Sequence, residues 1–158
     1  MDIRNEIERV VKECRLNRGC CFECPKLSYS SIIKKIEQIF VFQGGDIHWA
    51  NMGRWNPQWV CRTWDISDDR MWVRKLPDIL PEGEKLVYAL FEDCKNFEPK
   101  YWVYEMGLTE LICVVGAVNG LDDFYLVSKK FRWLISECHE DVVSFLGEDL
   151  DLSCFGLR

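Results

Sequence analysis

Apolar residues at Ile3, Ile7, Val10, Val11 and Cys14 recur at the spacing of one helix face, with Asp2 placed to cap it and Glu6 in its first turn. The pattern predicts a helix that stops near Asn17 and Gly19. After a Cys-rich connector, Ile32, Ile33, Ile36, Ile39 and Phe40 predict a second helix, capped by Ser28 or Ser30 and ended by Gly44-Gly45. Trp59 to Trp64 has the β-branched and aromatic content of a strand, and Met71 to Leu80 predicts a short helix halted by Pro81. Leu86 to Phe91 is short and apolar on both faces, which predicts a central strand covered on both sides, with Tyr101 to Tyr104 paired beside it. Between Leu108 and Val118 the residues Leu108, Leu111, Ile112 and Val115 fit a helix, although Asn119-Gly120 is also a hairpin signal; helix is the reading adopted. Asp123 to Ser128, Trp133 to Cys138 and Asp141 to Phe145 predict an antiparallel meander. Helices first, antiparallel strands later and no internal repeat or linker give one α+β domain over residues 1–158. Its N-terminal helices pack on a mainly antiparallel sheet ending in a C-terminal β-meander.

A chain of 158 residues, 48% hydrophobic and 29% charged, has enough apolar content for its own core, which removes disordered and low-complexity classes. Twenty Lys and Arg face twenty-six Asp and Glu, a net charge of −6. The excess is uneven: residues 1–80 hold thirteen basic and eleven acidic residues, residues 81–158 seven and fifteen, so the two parts stand at +2 and −8. This balance disfavours nucleic acid and anionic membrane surfaces as partners; carboxylates that share a face would steer a basic partner, and otherwise they make an ordinary solvated surface. No apolar stretch approaches the roughly 20 residues needed to span a bilayer. The N-terminus opens an amphipathic helix rather than an apolar signal segment, so the expected location is a reducing cytoplasm. Nine cysteines, an odd number in apolar runs, are expected as free thiols.

Chemistry-bearing motifs are sparse. Cys20-Cys21-Phe22-Glu23-Cys24 contains a Cys-x-x-Cys spacing, half of a zinc site, without a second pair of ligands nearby. Cys138-His139-Glu140 places a nucleophile, a base and an acid in a row, but neighbours on a strand point to opposite faces. Glu92-Asp93 and Asp122-Asp123 are paired carboxylates at strand ends, where solvated acids are common. No phosphate-cradling glycine loop occurs. No catalytic residue, metal or cofactor is assigned on these grounds. The unusual composition lies at 46–72, where Trp49, Trp55, Trp59, Trp64 and Trp72 fall, and tryptophan is enriched among residues that anchor interfaces.

Tyr88, Phe91-Glu92-Asp93, Tyr104-Glu105, Phe124-Tyr125-x-Val127-Ser128-Lys129-Lys130, Trp133-Leu134, Glu137-x-His139 and Gly147 resemble a family of small bacterial proteins labelled as a domain of unknown function. The order of helices, sheet and aromatic meander is similar to the SUKH superfamily, a resemblance that implies an immunity protein neutralising a cognate toxin. The expectation is therefore a non-enzymatic cytoplasmic protein that binds a protein partner, a basic toxin domain, through Trp49, Trp55, Trp59, Trp64, Glu137, His139, Glu140 and Asp141. The alternative is a small enzyme or ligand-binding domain using Cys138 and His139 in a tryptophan-lined pocket.

Overall fold

The computed structural model describes residues 2–47, 54–67, 69, 71–95 and 98–158. Helix α1 spans Ile3–Glu13, and Asp2 caps it as expected, its carboxylate accepting from the Asn5 amide at 2.8 Å. The helix ends before Asn17 and Gly19 because Arg15 takes a left-handed conformation at φ 50°, and the amides of Arg15 and Leu16 donate to the carbonyls of Lys12 and Val11. That double closure is the Schellman arrangement, here without its usual glycine.

The expected connector after α1 contains a strand, β1, Cys21–Glu23, three residues paired with a later one. Helix α2, Lys26–Phe40, starts ahead of both predicted serine caps, directly after Pro25. It has no side-chain cap; the proline's extended ψ of 131° turns the chain from β1 into the helix, and the Ser28 amide donates to the Pro25 carbonyl. Strand β2 is Cys61–Asp65. The expected helix before Pro81 is present in two pieces, a 3-10 turn at Trp72–Lys75 running into α3, Leu76–Ile79. Strands β3, Val87–Glu92, and β4, Tyr101–Met106, are followed by helix α4, Leu108–Ala117, the helix that the spacing of Leu108, Leu111, Ile112 and Val115 predicts. The meander follows as β5, Phe124–Ser128, β6, Trp133–Cys138, and β7, Val142–Gly147.

The seven strands form one sheet in the order β1-β4-β3-β5-β6-β7-β2, antiparallel at every step. Directly paired residues share a face, so Phe91, Phe124, Trp133, Phe145, Tyr104 and Trp64 point to one side and Leu90, Tyr125, Leu134, Leu146 and Val103 to the other. The first face is covered by α1, α4 and the 72–75 turn: α1 packs on α4, and Trp72 lies against Phe124 and Phe145. The second is covered by α2 and the segment after it, with Lys35 over the Phe131 ring, Phe131 against Tyr88, and the Tyr125 hydroxyl donating to the Ile47 carbonyl. Val87, Ala89, Leu90 and Phe91 are fully buried, the two-sided covering expected of β3. Gly147 ends β7 at φ 129°, and a Cβ there would lie 2.6 Å from Trp133 Cβ and 2.9 Å from the Arg132 carbonyl, so only glycine fits.

Candidate functional site

Trp49 lies outside the described residues. Trp55 is buried, its backbone bridged to Val41. Trp59 is half-buried, its ring tilted against Phe40 with centroids 5.2 Å apart, and donates its indole N–H to the Ile39 carbonyl at 2.8 Å. These two rings close the end of α2, beside an open cleft of about 870 Å³ walled by Val41, Phe42, Asn56 and Pro57. Trp64 sits elsewhere. It is on the first sheet face, packed on Phe155 at 4.6 Å with the Lys75 ammonium 5.2 Å from its ring. The register places Trp64 opposite Val143, which is itself opposite Glu137.

The structure therefore joins Trp64, Glu137, His139, Glu140 and Asp141 at one end of the sheet and leaves Trp55 and Trp59 near the other end of β2. That end is where β2, β3 and β6 finish and β4, β5 and β7 begin, and it gathers Asp65, Glu92, Asp93, Asp122, Asp123, Glu137, Glu140 and Asp141. Lys100 reaches Glu92 at 3.8 Å. The opposite end carries Lys85, Lys129, Lys130 and Arg132 among Glu82, Glu84, Glu105 and Asp149. Acids therefore dominate one end of the sheet, while acids and bases are nearly balanced at the other.

Within the acidic end the carboxylates differ in what they do. Asp93 and Asp123 are buried, not solvated as expected of strand-end acids. Asp93 accepts the Trp102 indole N–H at 2.9 Å and the Lys95 amide at 3.0 Å. Asp123 accepts the His139 amide at 2.8 Å and lies 3.0 Å from the ring Nδ1, so one carboxylate fixes both the backbone and the imidazole of the turn. Glu137 accepts the indole N–H of the buried Trp72. Glu140 is exposed in the β6–β7 turn, and Asp141, at φ 59°, accepts the Ile66 amide on its carbonyl. The hydrogen bond from Asp123 raises the His139 pKa above its ordinary value, with the carboxylate charges of Asp123, Glu140 and Asp122 acting in the same direction.

Cys138 is buried at the end of β6, and the partner of the His139 imidazole is Asp123 rather than that thiol. Strand alternation puts Cys21 and Cys24 on opposite faces, an arrangement in which the two thiols of the Cys-x-x-Cys spacing do not converge. Burial pushes both thiols up to about 11. Sequence reasoning missed Asp93, Asp123 and Glu84 as acceptors; Glu84 takes the Trp133 indole N–H at 3.0 Å. No local signal in the sequence marks these acceptors, because each lies far along the chain from its indole or imidazole or is set by the pairing of strands.

Among the described residues no helix is long and apolar enough to cross a membrane. No curated protein and no solved structure matches the chain. A family model does match, over residues 1–154, and on that match the chain belongs to the family of unknown function DUF6756.

Proposed function

We propose that this is a non-enzymatic bacterial protein of the cytoplasm, an immunity-type inhibitor that docks a basic domain of a protein toxin on the acidic end of its sheet. The observation that carries the reading is the exposed β6–β7 turn, where Glu140 stands free of the core beside His139 and Asp141 and above a row of carboxylates. A surface of one sign focuses its field outward and raises the encounter rate of an oppositely charged partner. The SUKH-like order of elements supports the same class of function. Asp93 and Asp123 are buried and Glu137 is half-buried, whereas Glu140, Asp122 and Asp65 are exposed, so the charge offered to a partner comes chiefly from these three.

The test is purification of partners from the native host, followed by binding kinetics of the wild type and Glu140→Lys at two salt concentrations. The expected outcome is a basic protein partner whose association slows severalfold in the variant and loses part of its salt dependence, with dissociation little changed. Recovery of a partner whose kinetics ignore Glu140→Lys at both salts overturns the acidic-end reading. A second reading is motivated by the Asp123–His139 pair, since a carboxylate holding Nδ1 leaves Nε2 facing outward, the orientation of a general base. A small metabolite that co-purifies with the wild type and is lost from His139→Ala would favour it.

A further inference from the structure

We propose that β2 is a self-association edge, at which two copies of the chain pair antiparallel across a two-fold axis at Thr63 and join their sheets into one. Among the described strands β2 is terminal, paired on one side only, to β7. The Ile66 amide donates to the Asp141 carbonyl in the register of that pairing. Backbone groups of alternate residues point to the same side, so Arg62 and Trp64 bond to β7 and the N–H and C=O groups of Cys61, Thr63 and Asp65 point away from the sheet. These three residues are exposed, and Val60 just before them is 76% exposed.

Edge strands are ordinarily shielded by shortness, proline, lysine or a bulge. The other edge follows that rule: β1 has three residues and is followed at once by Cys24-Pro25. Strand β2 has five residues in unbroken register without proline, and of its two charges Arg62 is engaged within its own chain by the Gly147 carbonyl while Asp65 stands at the strand end. Its sequence also complements itself. With Thr63 opposite Thr63 of the second copy, Cys61 faces Asp65, and Arg62 faces Trp64 in the non-hydrogen-bonded position, where side chains approach most closely. The Arg62 guanidinium donates to the Gly147 carbonyl at 2.9 Å, while its Nε is buried without a partner in the single chain. Across the axis it meets an indole, a cation–π contact made twice by symmetry. Antiparallel pairing also sends the two acidic ends in opposite directions, so the Asp65 carboxylates do not oppose each other. One short strand from each copy makes an interface under about 1,000 Å², which gives a reversible dimer rather than an obligate one.

The experiment is sedimentation of the full chain from the low micromolar to the submillimolar range, for the wild type, Thr63→Lys, Thr63→Asp and an equimolar mixture of the two variants. Thr63 is exposed, and circular dichroism with thermal unfolding checks that each variant folds as the wild type does. The expected result is a wild-type mass that rises above 18.7 kDa with concentration, each variant alone remaining at that mass, and a mixture that associates more at low salt than at high. Only a contact in which residue 63 faces its own copy gives that pattern. A wild-type mass fixed at 18.7 kDa throughout overturns the proposal and leaves the edge to an extended segment of another protein. Variants that associate singly as the wild type does overturn it as well, by placing the contact elsewhere.

Discussion

Three buried or nearly buried indoles, Trp72, Trp102 and Trp133, donate to the carboxylates Glu137, Asp93 and Glu84. An indole N–H taken from water without an acceptor costs about 1 to 3 kcal/mol, so part of the acid content is a requirement of the core rather than surface decoration. The partners stand 65, 9 and 49 residues apart, and no local pattern reveals such pairs. His139 makes the same point with a measurable consequence. Its folded-state pKa is raised from 6.5, first by the hydrogen bond to Asp123. The pair's stabilisation is therefore fully present below the unfolded value of 6.5 and fades as pH rises through the higher folded value. An NMR titration of the His139 ring should give a midpoint above 6.5 in the wild type, returning toward 6.5 in Asp123→Asn. Equal midpoints in the two proteins would remove Asp123 as the cause.

Elements whose apolar residues repeat over two or more turns, or fill both faces of a short run, were legible: α1, α4, β3 and the meander β5 to β7. Phe91 in β3 is fully buried between Tyr104 and Phe124, with centroids at 6.1 and 6.2 Å. Phe91→Ala should destabilise the fold by about 3 to 5 kcal/mol, read by denaturant unfolding; a loss under about 1 kcal/mol would contradict its place in the core. The end of α1 and the start of α2 were not legible, because each depends on one residue's backbone conformation. Arg15 holds a left-handed φ that glycine adopts without steric cost, and its side chain is exposed. Arg15→Gly should accordingly stabilise by about 0.5 to 1 kcal/mol, seen as a higher thermal midpoint; a lower midpoint would show that the side chain contributes more than the strain removes. Strand β1 escaped notice because three residues carry too little alternation to read, and only pairing with β4 makes them a strand.

At the scale of the whole molecule all nine cysteines are free thiols, distributed by depth: Cys14, Cys61, Cys94 and Cys154 exposed, Cys20 and Cys113 intermediate, Cys21, Cys24 and Cys138 buried. Thiol titration of freshly reduced protein should give nine equivalents in denaturant, with the exposed four reacting ahead of the buried three in the native state. A count below nine in denaturant, or a buried thiol reacting first, would refute this distribution. The α+β class, the helix-before-sheet order and the free cysteines followed from the chain alone, since periodicity, turn residues and composition are local properties that tertiary contacts seldom override. The uneven charge was also visible as a count. The gathering of Asp65, Glu92, Asp93, Asp122, Asp123, Glu137, Glu140 and Asp141 at one end of the sheet was not, because an antiparallel meander brings the ends of alternate strands together and only the strand order β1-β4-β3-β5-β6-β7-β2 says which loops become neighbours. The same order places β2 at an edge of the described sheet, and packing takes Trp59 to the end of α2 and Trp64 to the first sheet face against Phe155. Folding topology, which rests on long-range pairing rather than on any stretch of sequence, decided which surfaces this protein presents.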